Sequence, residues 1–419
     1  MFLKFNISGN IFAVIGLLSC TLGLAALKYI LSSYQLTPHQ PALKISHKAG
    51  IESPWVTNLM RSKEKHSQHQ LVGSIRNDVS PRIIFNGTSE VELLRKRYRE
   101  DAVYRKQVGA LGESSDFLPK AVAWTAGGNQ LAGFSALKQL QTVGLTNVSA
   151  EGSYGNGLKL ALAYDLLSNL PVAKDEDKQV VAVKLRRFLN DALTVLDGNS
   201  ASLWHGRMQL SSSAWVAAVA LGTENPADVE LVTRVQAHFH ESLSSIELTE
   251  GWPEGYSYWI NNRAYPFVLA CLAHLNGVDA ETINDRVRTV LERVGMWMIH
   301  GVEPQGRFHL FADSGPRNDL KDETQRVVDL IYMATGNPVF KDYSRYLSSL
   351  HGREAYYRSY RWALPLFRGL IQDQGAMPIS SLAFFDQYLS VNELFGRDTL
   401  GQLFVRSDWS DDATFLSFQ

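Results

Sequence analysis

The chain has 419 residues, 45% of them hydrophobic, with 41 basic and 42 acidic side chains for a formal charge of −1. That length exceeds one ordinary core and suits two domains or one large toroidal domain. The balanced charge and the lack of any basic stripe exclude a nucleic-acid binder, and an acidic substrate would need a local basic patch. Two cysteines, Cys20 and Cys271, exclude a disulfide framework and a cysteine-based zinc site.

Ile11 to Leu27 is an uncharged apolar run of 17 residues between Lys4 and Lys28, extended by Tyr29, Ile30 and Leu31. A run of this length just spans a bilayer. Three readings compete: a signal anchor, a cleaved signal peptide, and a lipoprotein signal at Leu17-Leu18-Ser19-Cys20. All three place the rest of the chain in the cell envelope, periplasmic or extracellular, with residues 11–31 as a membrane anchor in the first reading. Residues 1–31 are therefore read as signal anchor or signal peptide. Residues 32–80, rich in Ser, His, Lys and Pro, read as a flexible tether.

From Ser89 the pattern is helical. Ser89-x-x-Glu92 reads as a capping start for a charged helix running to about Val108. Val181, Leu185, Phe188, Leu189, Ala192, Val195 and Leu196 recur at helical spacing, as do Ile283, Val287, Val290, Leu291, Val294, Trp297 and Met298. Further helices are expected near 155–170, 205–222, 227–245, 266–276, 323–335 and 353–371. Gly222-Thr-Glu-Asn-Pro226 and Gly336-Asn-Pro338 punctuate them. Ten or so helices on short turns predict helical hairpins packed in series or in a ring over residues 81–375. Beyond Gln374, Leu400–Val405 and Thr414–Phe418 flank the turn 407–412 and read as a β-hairpin. An isolated hairpin is barely stable, so these strands imply either more chain or packing onto the helices.

The richest segment for chemistry is Glu250-Gly-Trp-Pro-Glu-Gly-Tyr-Ser-Tyr-Trp-Ile-Asn-Asn-Arg-Ala-Tyr265. Its glycines and Pro253 predict a loop over 251–264, with Pro266 in the first turn of the next helix. Trp252, Tyr256 and Trp259 offer faces that stack on sugar rings, while Glu254, Asn262 and Arg263 offer groups for hydroxyls and carboxylates. The competing reading is a structural turn whose aromatics pack inward. Trp204-His205-Gly-Arg207 opens a helix, and His205 there is a cap, a packing residue or a site residue. Asp313, before Ser-Gly-Pro, reads first as a turn former. His238-Phe-His240-Glu241 does not read as a metal site, because i and i+2 on a helix do not share a face.

Gly251-Trp-Pro-Glu-Gly-Tyr-Ser-Tyr-Trp259 resembles the W-x-E-G-x-x-Y-W loop of heparinase II/III-like polysaccharide lyases. Trp204-His-Gly-Arg207 is similar to that family's Asn-His helix start, Ala161-Leu-Ala-Tyr-Asp-Leu166 to its A-Y-D-W/L helix, and Gly401-Gln-Leu-Phe-Val-Arg-Ser-Asp-Trp409 to the opening of its β domain. The set covers about residues 150–419 in the family's order. It implies a mainly α fold: an (α/α) toroid or incomplete barrel of helical hairpins, followed from residue 376 by the first strands of an antiparallel β-sandwich. It also implies β-elimination on an acidic, uronic-acid-containing polysaccharide. By motif, Tyr258 takes the catalytic tyrosine position, with Tyr256 as fallback, and His205 takes the histidine position. Trp204 stands where the family has Asn. The resemblance implies no cofactor in this segment; a zinc site would belong to β-domain sequence beyond Gln419. A tyrosine titrates near 10, so as a base Tyr258 needs a cationic neighbour, for which Arg263 and Arg207 are the candidates. Two other functions stand beside the lyase: a glycoside hydrolase using Glu254 and Asp313, and a non-catalytic glycan-binding or exopolysaccharide-assembly protein.

Overall fold

The computed structural model describes residues 73–149, 154–198, 205–312, 320, 322–351 and 377–419. The protein is mainly helical, with a small antiparallel sheet of three strands near residue 419. The helices are α1 (Thr88–Glu100), α2 (Ala102–Gly112), α3 (Phe117–Gly127), α4 (Gln130–Thr142), α5 (Gly157–Leu166), α6 (Asp175–Asp197), α7 (His205–Leu221), α8 (Pro226–Thr249), α9 (Ala264–Gly277), α10 (Glu281–His300), α11 (Asp322–Thr335) and α12 (Pro338–His351). Strands β1 (Ser74–Ile75) and β2 (Val278–Asp279) pair antiparallel and tie the start of the described chain to the end of α9.

From α3 onward the helices alternate between two layers. The odd-numbered α3, α5, α7, α9 and α11 contact one another in series. The even-numbered α4, α6, α8 and α10 do the same outside them. Sequence character sets the layer. Residues 206–220 of α7 are buried on every side, including Ser211, Ser212 and Ser213, and α9 is buried from Ala264 to His274. Helices apolar all round belong inside. In α6 and α10 the buried residues fall on one stripe, such as Val181, Leu185, Leu189 and Val287, Leu291, Val294. Those stripes cover the inner row and leave charged residues outward.

The charged stretch expected as one helix is two, because Asp101 is extended and its carboxylate accepts from Val103 N and Tyr104 N, capping α2. Ser89 caps nothing; the N-cap of α1 is Gly87, with no side-chain cap. The punctuation at 222–226 and 336–338 holds. Asn225 accepts from Ala227 N with Pro226 beginning α8, and Asn337 accepts from Val339 N. The buried carboxylate of Asp165 accepts the amides of Arg82 and Ile83 at 3.0 to 3.2 Å and so anchors the chain entering α1. Burial raises its carboxyl above the usual range, against those amides. The helix expected at 353–371 lies outside the described residues.

Strands β3 (Asn392–Phe395), β4 (Gln402–Arg406) and β5 (Phe415–Phe418) form the second sheet, in the order β3-β4-β5. β4 and β5 fall where alternation places them. A two-turn 3₁₀ segment, Leu382–Gln387, precedes them. This sheet packs on α10, which is how so small a unit is held. The inward side chains of β4 meet Trp297 and carbonyls at and just beyond the end of α10: Trp297 Nε1 donates to Gln402 Oε1 at 2.8 Å, and Arg406 Nη2 donates to His300 O and Val302 O at 2.9 and 2.8 Å. Arg406 also lies 3.7 Å over the Trp409 ring.

The expected membrane partner is corrected. Among the described residues no helix is long and apolar enough to cross a membrane. The apolar run Ile11–Leu27 lies outside those residues, and membrane contact through it forms no part of the function proposed below.

Candidate functional site

The segment between α8 and α9 is a turn over 251–255, as expected, and is helical from Tyr256 on, where the loop is expected to continue. α8 ends at Glu250, which takes the left-handed conformation at φ 50°. Gly251 follows against the Trp297 indole, where a Cβ would lie 2.8 Å from the ring, so only glycine fits. Gly255, at φ 89°, starts one turn of α-helix, Tyr256–Tyr258, and a π-helical turn, Trp259–Arg263, runs straight into α9. The amide of Ala264 reaches back to Trp259 O, five residues earlier. Pro266 accounts for the widened turn: it has no amide hydrogen for the carbonyl four residues back. π-turns of this kind recur at functional sites. This one packs on α7, α9 and α11.

Most of the segment's aromatics face inward, and their expected role as sugar platforms is corrected. Trp252 and Trp259 are fully buried with ring centroids 5.5 Å apart; Trp252 Nε1 donates to Glu254 Oε2 at 3.2 Å, and Trp259 Nε1 to Met298 Sδ at 3.3 Å. Tyr256 is buried, stacked on Phe308 at 4.3 Å, with its hydroxyl bonded to Thr324 Oγ1. No ring face of the three is left for a sugar. Tyr258, two residues on, is partly exposed, as is Glu254, and Asn261 is exposed. The side chain of Asn262 lies outside the described residues, as do Trp204, Asp313 and the side chain of His205.

Arg263 joins Tyr258. Its guanidinium lies 5.0 Å over the Tyr258 ring and Nη1 donates to Tyr258 O at 3.3 Å. Arg263 is 5% exposed. Burial pulls its pKa below the usual arginine range, while the charges of Glu254 and Tyr258 act to hold it up. Glu254, Tyr258 and Arg263 thus share one electrostatic neighbourhood.

Arg207 is placed elsewhere. In the corner between α6, α7 and α8 it donates to Glu241 Oε2 at 3.0 Å and Leu196 O at 3.2 Å, and meets His238 Nδ1 at 3.3 Å. His238 Nε2 meets Asp197 Oδ1 at 2.7 Å. Burial works against the Asp197 carboxylate, yet His238 and Arg234 hold its carboxyl below the usual range. His240 instead faces His274, with ring centroids 5.9 Å apart. The two histidines therefore serve different neighbours, as their spacing requires.

A second, partly buried network closes the segment from behind. Arg293 takes Glu250 with both carboxylate oxygens at 3.0 and 3.1 Å, and reaches Glu393 Oε1 at 2.8 Å and Leu394 O at 3.0 Å. Gly396 N donates to Glu250 Oε2 at 2.9 Å. The strained start of the candidate segment and the β3 strand are thus fixed by one guanidinium. Sequence reasoning missed Arg293, since only the periodic apolar residues of α10 carried a signal. Arg293→Ala is expected to cost about 2 kcal/mol, because it strands two carboxylates that are each less than a third exposed. Arg293→Lys is expected to recover less than half of that, lacking the planar fork. Urea unfolding midpoints of the three proteins check both.

No family model matches the chain, and no curated protein matches it.

Proposed function

We propose that this chain is a polysaccharide lyase of the heparinase II/III-like kind, cleaving a uronic-acid-containing glycan by β-elimination. The observation that carries the proposal is the selective exposure of Tyr258 beside a buried cation. Among Trp252, Tyr256, Tyr258 and Trp259, Tyr258 alone keeps part of its surface in solvent, and it carries Arg263 at 5.0 Å. The phenolate of Tyr258 takes the C5 proton, the electron pair forms the C4–C5 double bond, and the C4–O bond breaks. The leaving oxygen recovers the proton from the phenol, so the tyrosine ends as it began. A guanidinium beside the ring favours the charged form that starts the cycle. The alternating layers support an (α/α) toroid or incomplete barrel as the finer architecture, with α3, α5, α7, α9 and α11 as its inner wall. An extracytoplasmic location belongs to the same proposal, since extended acidic glycans lie outside the cytoplasm.

Purified protein incubated with alginate, heparan, chondroitin and bacterial uronans tests this reading. Growth of the ultraviolet absorbance of a conjugated 4,5-unsaturated uronate is expected on at least one of them. Reducing ends without that absorbance would favour hydrolysis. Binding without turnover would favour a non-catalytic glycan binder.

A further inference from the structure

Away from the candidate segment, α6 and α8 flank an open cavity of about 420 Å³. That volume lies inside the range of roughly 300 to 1,000 Å³ usual for small-molecule sites. The cavity sits between the middle of α6 and the first turns of α8. A helix rises about 1.5 Å per residue, so Glu230 at the cavity lies roughly 30 Å along α8 from Glu250, where the candidate segment begins. The polar groups around the cavity are held in fixed directions. The buried carboxylate of Asp228 accepts from Arg186 Nε at 2.7 Å and Nη2 at 2.8 Å, a planar two-bond pair that leaves Arg186 Nη1 as a donor. Asn190 Nδ2 donates to Arg186 O at 2.9 Å, which leaves its Oδ1 as an acceptor. Asn225 Oδ1 caps α8 by accepting from Ala227 N at 3.1 Å, which leaves its Nδ2 as a donor.

The charges decide the class of ligand. Two arginines line the cavity, and each already has its carboxylate: Arg186 has Asp228, and Arg234 has Asp197 beside the cavity. Glu230 adds a further exposed negative charge to the lining. An anion therefore meets no uncommitted cation there. We infer that this cavity is a second binding site, one that takes a neutral sugar unit through its hydroxyls. Each sugar hydroxyl both donates and accepts, and the lining offers both kinds of partner: Arg186 Nη1 and Asn225 Nδ2 donate, while Asn190 Oδ1 and Glu230 accept. Leu231 supplies apolar surface for the C–H face of the ring. The inference stands on the cavity alone. Joined to the lyase proposal, it gives a glycan with neutral as well as acidic units a second hold, which raises the polymer's effective concentration at Tyr258.

Titration calorimetry of the full chain tests this, with the methyl glycosides of glucose, galactose and mannose, N-acetylglucosamine, glucosamine and sodium glucuronate as probes. At least one neutral sugar is expected to bind with a Kd of about 10 mM or below, and glucuronate at least about tenfold more weakly. Asn190→Ala and Asn225→Asp are each expected to weaken that sugar by about fivefold, the worth of one hydrogen bond. Asn225→Asp keeps the oxygen that caps α8, and both residues are exposed, so each variant is expected to melt within about 2 °C of the wild type. Tyr258→Phe is expected to leave the Kd unchanged. Absence of binding by every neutral sugar would overturn the inference, as would a Kd that neither asparagine variant moves. Glucuronate binding as tightly as the neutral sugar would overturn it too, and so would binding confined to the cationic glucosamine. Failure of the lyase proposal reads differently: no unsaturated product forms, yet the asparagine-dependent heat with a neutral sugar persists.

Discussion

Tyr258→Phe is expected to lower turnover of the susceptible polysaccharide by about 10² to 10⁴-fold, the range that one positioned acid/base supplies. KM is expected to change by less than about threefold, since the lost oxygen acts on the proton rather than on binding. Stability is expected to hold within about 0.5 kcal/mol, because Tyr258 is partly exposed and the substituted ring still lies under Arg263. Tyr256→Phe is the matched control. Its hydroxyl is buried against Thr324 Oγ1, so the substitution is expected to cost about 1 kcal/mol of stability and leave turnover nearly intact. Initial rates by product absorbance and urea midpoints separate the two. Tyr258→Phe turning over at the wild-type rate would remove the proton role from Tyr258.

A second large effect is expected in acid. Burial pushes the imidazoles of His274 and His300 from the ordinary histidine range near 6.5 down to about 3; neighbouring His240 adds to the first, and Arg406 and Arg293 to the second. Between those limits the unfolded chain binds protons that the folded chain refuses. The stabilisation is therefore fully present above about pH 6.5 and is lost as pH falls toward 3. Each histidine contributes a slope of about 1.4 kcal/mol per pH unit, so the pair removes about 3 to 4 kcal/mol between pH 6.5 and pH 5. Asp165, with its raised carboxyl, works in the opposite sense, one group against two. Neither ring nitrogen of His274 has a hydrogen-bond partner, so His274→Leu sacrifices no bond. That variant is expected to match the wild type within about 1 kcal/mol at pH 7 and to exceed it at pH 5. Urea midpoints across this range check the slope; a flat wild-type profile would show that the buried imidazoles do not titrate this way.

Helices with one apolar stripe were legible because burial on one side writes a period into the sequence, as in α6 and α10. The same logic makes α7 and α9 harder to read, since residues buried on all sides carry no stripe, although their small and apolar residues still mark them as helical. The break at Asp101 was hidden inside a charged run whose composition suits one helix; only the side-chain cap on Val103 and Tyr104 divides it. In the candidate segment the glycines and Pro253 suggest a loop, while the π-turn depends on how Pro266 joins α9, a tertiary matter. Aromatic richness there was visible, but not which rings face inward. Tyr256 and Tyr258 differ by two residues in sequence and by burial against Phe308 in the fold. Arg263 carried a generic expectation of binding, and its position over the Tyr258 ring became visible only once its neighbours were placed.

The most direct measurement is the mass balance of cleavage. A purified uronate oligosaccharide that the protein cuts is resolved by mass spectrometry into its two fragments. Elimination at C4–C5 predicts fragment masses that sum to the mass of the parent, with the unsaturated residue on the new non-reducing end. Fragments that sum to the parent plus one water would mean hydrolysis and would contradict the proton cycle assigned to Tyr258.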